Sequence, residues 1–427
     1  DLLKKAINTE GIFEYLCRSL PPWPNTMYKD VLRIMPGSIL HYDKNQNVKT
    51  EYFCKLEDDW KEVTDLPKKE IDLTKLIEFK LEEAVRKQLI GHSNIGMALS
   101  GGIDSNLILG IFSKNYSKKL NAFTFTNSNQ GINEGSRAAV GVSHLNRDIS
   151  HYKVASTYKD TERLIKKSFS LLDSPDTLMR NFVQLMLLNQ EAYKKNVPIL
   201  LAGYGSDLLN CGMPRHRRWY DEGLLENGDI DEWAHILFFG GGINNISSVE
   251  KITGVNREIV KDSMVYKWVY EYKDLEPERR IAIFDQNFHS TTALGGANRA
   301  SPVQVRSPFW DLDLSKTINA MQGTYKINST DTKIMMKSVA SNLIPQEIIN
   351  GPKMPTHSDA LFWTNTDEFM IILTDLINEE FSFSKNFLVY DEVIKVIESH
   401  KKHKNQTHLC WFIFALENWY TSSFLNN

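Results

Sequence analysis

Two short segments of the sequence gather residues whose types and spacing can do chemistry. The first is Ser100-Gly101-Gly102-Ile103-Asp104-Ser105, between the apolar run Ile95–Leu99 and a helix-forming stretch from Asn106 to Phe112. Two glycines let a backbone approach an anion closely, and the following helix N-terminus offers unpaired N–H groups and a positive dipole end. Ser100 and Ser105 add hydroxyl donors. Asp104 alone would repel a phosphate, so it points to a divalent metal bridging it to phosphate oxygens. The plainer alternative is a glycine-rich turn with a capping serine. The second segment, Gly203-Tyr204-Gly205-Ser206-Asp207, follows the apolar run Val197–Ala202 and repeats the pattern. Asp104 and Asp207 at neighbouring strand ends can share Mg²⁺ on a nucleotide pyrophosphate, whereas Asp207 as a mere helix cap is the alternative. Tyr204, between two glycines, is an exposed aromatic unless it faces a site, where its phenol can move protons.

The elements that must position these loops follow from periodicity. Apolar Leu73, Leu76, Ile77, Leu81 and Val85 recur at helical spacing, so a helix capped by Asp72 is expected through Ile90. Strands are expected at 95–99, 120–125, 151–154 and 197–202, with helices at 136–145, about 160–171 and about 178–194 between them. Strands alternating with helices predict an α/β fold with a parallel sheet, and open sheets of that kind bind ligands at their strands' carboxyl ends. Before Asp65 the chain reads as short β pieces broken by Pro21-Pro22, Pro24 and Pro36-Gly37, hairpin-like and too small to hold a core of its own. Beyond residue 212 the pattern is helical and less regular, with loop signals at Gly240–Gly242 and Gly295-Gly296.

A length of 427 residues suggests two or three domains. Fifty Lys+Arg against 53 Asp+Glu leave a net charge of −3, which argues against a nucleic-acid or basic membrane-binding surface. A hydrophobic share of 42% is enough for sizeable cores. No apolar run is long enough to span a bilayer. Cys17, Cys54, Cys211 and Cys410 form no Cys-x-x-Cys pair, which fits a reducing cytoplasm better than a disulfide framework. Cys211 reads as a buried thiol rather than a nucleophile.

The hexapeptide at 100–105 resembles the pyrophosphate loop of the asparagine synthetase superfamily of adenylating, amide-forming ligases. Leu32-Arg-Ile-Met-Pro-Gly-Ser-Ile-Leu40 resembles the segment where that family's glutaminase domain ends. Arg306-Ser-Pro-Phe-Trp-Asp311 resembles its Arg-x-Pro-Phe-Leu-Asp motif. Tyr325-Lys326, then Lys333-Ile-Met-Met-Lys337, Pro345 and Lys353, resemble its C-terminal lysine motifs, and Leu409–Trp419 its closing helix. The likeness extends over about residues 12 to 420. Family asparagine synthetases carry Glu where Tyr204 stands. Gly-Tyr-Gly-Ser-Asp is instead similar to the β-lactam and carbapenam synthetases, in which the Tyr pairs with a Glu. No Glu occurs between Glu278 and Glu347, leaving Asp285 or His289 as substitutes.

The resemblance implies a parallel-sheet adenine-nucleotide α-hydrolase-like (PP-loop ATPase) fold with a helical C-terminal part. It implies two regions: 1–65 as a β-rich remnant of an N-terminal glutaminase-like domain, and 66–427 as the synthetase domain. On these residues glutamine hydrolysis is not supported, and the missing starting Met suggests a lost or separate N-terminal piece. The implied cofactors are ATP and Mg²⁺. Leu99, Ser100, Gly101, Gly102, Asp104, Ser105, Gly205 and Lys333 would bind ATP, and Asp104 and Asp207 the metal. Tyr204 would accept or relay the amine's proton, and Lys353 would neutralise charge on the adenylate and the tetrahedral intermediate.

The expected reaction is amide formation through an acyl-adenylate, foremost as ring closure within a small molecule or peptide carrying both carboxylate and amine. Transfer of ammonia or a free amine, as in asparagine synthetase, is the second reading, and a nonenzymatic nucleotide-binding relative the third. A homodimer is compatible with the sequence, and no nucleic-acid or membrane partner is expected. His400, His403, His408 and Cys410 can suggest zinc, but the intervening lysines would repel a cation, so the stretch reads as a solvated loop. His216-Arg217-Arg218 reads as a surface ion-pair cluster before a carboxylate-binding one.

Overall fold

Consecutive apolar residues in a short strand, such as Ile199-Leu200-Leu201-Ala202, need apolar cover on both faces, and the chain supplies it. The computed structural model describes residues 5–91, 94–117, 119–126, 134–145, 147–155, 157–169, 175, 179–223, 229–239, 244–288, 292–351 and 363–425. A hairpin of β1 (Ser38–Tyr42) and β2 (Val48–Tyr52) stands apart. The five other strands are β3 (Ile95–Ala98), β4 (Leu120–Thr126), β5 (Ile149–Ala155), β6 (Ile199–Ala202) and β7 (Gln304–Arg306). They form one parallel sheet in the order β5-β4-β3-β6-β7. The chain runs outward from β3 through β4 to β5, then returns to place β6 on β3's other side. The order therefore reverses between β3 and β6, the position at which open α/β sheets form a ligand crevice.

The two faces of the sheet feed two cores. Ile95, Met97, Leu120, Ala122, Ile199 and Leu201 pack with helices 70–88, 103–115 and 334–340. Phe123, Phe125, Leu200, Ala202 and Val305 pack with helices 158–169, 179–194 and 407–420. The α/β class, the helix from the low seventies to the high eighties, and four of the five parallel strands agree with the sequence. β7 is three residues long and gives too little pattern to read. No helix among the described residues is long and apolar enough to cross a membrane.

The first thirty residues depart from expectation. Thr9–Arg18 is a helix whose Ile12, Phe13, Leu16 and Cys17 are buried. It docks on the chain's last helix, with Tyr15 and Phe412 ring centroids 5.2 Å apart, and Tyr28 packs on Trp419 at 5.4 Å. This segment has no separate core; it shares one with the sheet. Gly295 and Gly296 lie inside helix 292–300, which packs closely on helix 179–194, so the pair is not a loop. Gly240–Gly242 lie outside the described residues.

Candidate active site

Register sets the site's height. Ala98 of β3 pairs with Ala202 of β6, so the loops at 100–105 and 203–207 leave the sheet side by side. They are in contact: a Cβ on Gly203 would come within 2.9 Å of Asp104 Cβ and of the Ser105 backbone nitrogen. Gly101 has φ +73° and Gly205 φ +89°, left-handed conformations that favour glycine. Leu99 is buried, and its N–H donates to Phe123 O at 2.9 Å, keeping the loop's first residue in the sheet.

The first loop is organised from within. The Ser105 hydroxyl accepts from Ser100 N and lies 3.2 Å from Ser100 Oγ, so it braces the turn. Buried Asn106, a contributor not singled out in the sequence, donates from Nδ2 to Gly102 O at 2.8 Å. Gly102 is the N-cap of helix 103–115, and no side chain caps it. That leaves an open helix N-terminus, a ready anion site.

Lys333 joins the two loops. Its Nζ lies 2.6 Å from Asp104 Oδ2 and 2.6 Å from Asp207 Oδ1. It is buried and holds φ +57° at the N-cap of helix 334–340. Burial alone depresses the ammonium's pKa, but the charges and hydrogen bonds of Asp104 and Asp207 together raise it above its ordinary value. Its stem lies over Gly212, where a Cβ would meet Lys333 Cε at 2.1 Å and Asp207 Oδ1 at 2.4 Å. Nothing around Gly212 in the chain signals this role, because its reason is a contact made by Lys333 from far along the chain.

The donor set fits a metal-bound polyphosphate. Two carboxylates and one ammonium carry one net negative charge, which alone would repel phosphate. Asp104 Oδ1 is buried without a hydrogen-bond partner, an orphan oxygen of the kind a cation satisfies. No group of three or more His, Cys, Asp or Glu able to hold a metal is present among the described residues.

The second loop is held from behind. Ser307 Oγ donates to Tyr204 O, and the Trp310 ring covers Gly205, 2.9 Å from where a Cβ would stand. Tyr204 is half-buried. Asp285 is buried and accepts from Arg215 and from His216 Nε2 at 2.7 Å. His216 is buried, not a surface residue, and burial lowers its pKa despite Asp285. Met213 N donates to its Nδ1, which leaves the proton on Nε2. Lys353 and His289 lie outside the described residues.

Cys211 is buried and its thiol is pushed up to about 12 by burial, which suits a structural thiol. The histidine-rich stretch is a helix, 390–403, rather than a solvated loop. His400 is buried, accepting from Gln406 N at 3.0 Å, while its neighbouring lysines face solvent.

The asparagine synthase family profile matches residues 76–421, most of the chain, and includes both loops and Lys333. The chain belongs to the asparagine synthase family. This is a family of ATP-dependent carbon–nitrogen ligases. Asparagine synthetase [glutamine-hydrolyzing] 1 of Bacillus subtilis is 20% identical over 97% of this chain and 69% of its own length. Asparagine synthetase [glutamine-hydrolyzing] 1 of Saccharomyces cerevisiae is 37% identical over 20% of this chain and 14% of its own. Matched relatives from Methanocaldococcus jannaschii and Mycobacterium tuberculosis are covered to 41% and 60% of their length. A solved NMN synthetase from Francisella tularensis overlays with a TM-score of 0.26 and 14% identity, covering 54% of this chain and 92% of that one. An overlay that loose carries no argument.

Proposed function

We propose that this asparagine synthase family member joins a substrate carboxylate to an amine at the expense of ATP, by way of an acyl-adenylate. A carboxylate oxygen attacks the α-phosphorus, and the bond to the β-phosphate oxygen breaks to release pyrophosphate. The amine nitrogen then attacks the acyl carbon, the bond to AMP breaks, and the nitrogen's proton passes to Tyr204 or through it. The observation that carries this reading is the Lys333 ammonium between Asp104 and Asp207, set at the mouth of two glycine-bearing loops.

The open N-terminus of helix 103–115 and the glycines at 101, 102 and 205 would receive the phosphates. Asp104 and Asp207 would hold Mg²⁺, which offsets phosphate charge. Lys333 keeps both carboxylates oriented and adds a fixed positive charge behind them. Lys353 would neutralise charge on the adenylate. We assign residues 1–65 to the end of a glutaminase-like domain, on the motif at 32–40 and the hairpin β1–β2, whose strands are exposed almost throughout.

The amine most in keeping with Tyr204 between its glycines is one on the same substrate, giving ring closure of β-lactam, carbapenam or macrolactam type. Transfer of a free amine is the reading favoured by the names of the relatives. Exchange of radiolabelled pyrophosphate into ATP, tested against a panel of carboxylic acids, decides the first half. Exchange with one class of acid is expected. ATP binding with no exchange for any acid would leave a nonenzymatic nucleotide binder.

A further inference from the structure

The turn that carries Asp207 holds a conformation its own residues do not favour. After the short helix 206–209, Cys211 stands at φ +51°, a left-handed backbone on a residue with a side chain. Such conformations are costly and persist only where surrounding contacts fix them. Gly212 N closes the turn by donating to Asp207 O at 2.8 Å. Gly212 also leaves the room that Lys333 Cε and Asp207 Oδ1 occupy, so a shift of this turn disturbs both partners of that ion pair.

The contacts that fix the turn lead back to one buried pair. Met213 N donates to His216 Nδ1 at 3.3 Å, and His216 N donates back to Met213 O at 2.9 Å. The other ring nitrogen, Nε2, donates to Asp285 Oδ2 at 2.7 Å. His216 and Asp285 are 0% and 2% exposed, so water does not compete for either ring bond. Asp285 lies on helix 277–288, and the same helix accepts from the Cys211 thiol through Glu278 O at 3.5 Å. That helix therefore grips the turn on both sides of Gly212, through Cys211 before it and through His216 and Met213 after it. Helix 214–221 extends the hold toward Lys333, since Arg217 Nη1 donates to Asn328 O at 2.6 Å, in the loop that leads to the lysine.

We infer that His216, oriented by Asp285, is a positioning residue for the metal and nucleotide site: through Met213 it sets where Asp207 and Lys333 stand. A carboxylate behind an imidazole fixes which nitrogen carries the proton, as it does behind histidines that bind metals. Here the lone pair so fixed faces a backbone N–H. The inference rests on the ligase reading above for the assignment of Asp207 to Mg²⁺, and its test keeps the two apart.

Two substitutions divide the ring's two bonds. The Oδ1 of an asparagine stands near the place of Nδ1 and can still accept from Met213 N. The Nε2 of a glutamine reaches near the place of the ring's Nε2, so it can still donate to Asp285 while Met213 N loses its acceptor. Both variants remove the ring and its packing on Trp219, whose centroid lies 5.7 Å away, so a role in packing alone would cost both alike. Mg²⁺ is titrated at constant ATP and followed in two ways: by the rise in melting temperature, which needs no chemistry, and by pyrophosphate exchange.

His216→Gln should raise the Mg²⁺ concentration for half-maximal effect about tenfold in both measurements, on the scale seen when a group that orients a metal's ligands is lost. That shift is equivalent to about 1.4 kcal/mol. His216→Asn should raise it about threefold or less. Equal shifts in the two variants, or lower melting temperatures with an unchanged Mg²⁺ requirement, would overturn the inference and leave His216 a packing residue. The expected difference in Mg²⁺-dependent melting, with no exchange for any acid, would uphold the inference and overturn the ligase reading. A measurement on the wild type needs no variant to fold: Mg·ATP should slow hydrogen–deuterium exchange at the Gly212 and Met213 amides. Amides there that are indifferent to Mg·ATP would overturn the inference.

Discussion

Lys333 Nζ stands 2.6 Å from both Asp104 Oδ2 and Asp207 Oδ1, so one ammonium neutralises carboxylates from two loops. Lys333→Met would leave those carboxylates facing each other without a cation. Breaking a buried pair costs about 3–5 kcal/mol, and both aspartates keep some solvent access, so a loss toward the lower end is expected as a fall in melting temperature. Added Mg²⁺ should restore part of that loss in the variant and stabilise the wild type much less. A variant as stable as wild type, or indifferent to Mg²⁺, would show that the carboxylates do not form a cation site.

Asp104→Asn addresses the metal assignment from the other side. The amide keeps the shape but removes the charge and one acceptor beside the orphan Oδ1. Metal-dependent pyrophosphate release should fall about a hundredfold or more, the scale on which a single electrostatic contact at a reacting centre acts. Full retention of release in the presence of Mg²⁺ would refute the role of Asp104.

Gly212→Ala tests the packing that aims the lysine. A methyl group there would stand 2.1 Å from Lys333 Cε and 2.4 Å from Asp207 Oδ1, so the stem or the loop must move. Overpacking of this kind costs about 1–3 kcal/mol. Exchange activity should fall more than thermal stability does, because the displaced groups are those proposed to meet the nucleotide. Wild-type exchange would mean that Lys333 has another rest position.

The glycines and the aspartates were legible because strand, tight turn and helix follow each other locally, and chemistry at a strand end is a local signature. Lys333 was legible only through the family motif, since nothing near it in sequence tells that it reaches back to Asp104. Gly212 and the Trp310 cover on Gly205 were illegible for the same reason, since each works through a contact made by distant chain; Asn106 acts locally on Gly102 O, but an asparagine at that place reads as an ordinary helix residue. The basic triplet divides: Arg217 pairs with Asp221 at the surface and Arg218 is exposed, as the pattern suggests, while His216 is drawn inside by Asp285, a partner far along the chain. Helix 9–18 buries Ile12, Phe13, Leu16 and Cys17 on one face, but it is short and the prolines at 21, 22 and 24 that follow it are signals of broken β structure.

Tyr204→Phe separates the two half-reactions. The ring and its packing stay, and only the hydroxyl is lost. Adenylation, read as pyrophosphate exchange, should be largely intact, while amide formation slows about a hundredfold or more, as for loss of a proton-transfer group. Equal losses in both steps would make Tyr204 a structural or adenylation residue.

Lys326 offers a pH test independent of the chemistry. It is fully buried, its Nζ 3.4 Å from Asn319 Oδ1, and burial pushes its pKa down from 10.5 to about 8. Below pH 8 the lysine is charged in both folded and unfolded chains, so folding carries the full cost of burying an ammonium. Between pH 8 and 10.5 the folded chain gives up the proton while the unfolded chain keeps it. The unfolded state then binds more protons, and wild-type stability rises with pH by up to about 1.4 kcal/mol per unit. Lys326→Met removes the titration. Denaturant unfolding should find the variant more stable than wild type at pH 7, with its advantage shrinking as pH rises from 8 toward 10.5. A difference between the two proteins that stays constant across that range would show that Lys326 is not held below its ordinary pKa.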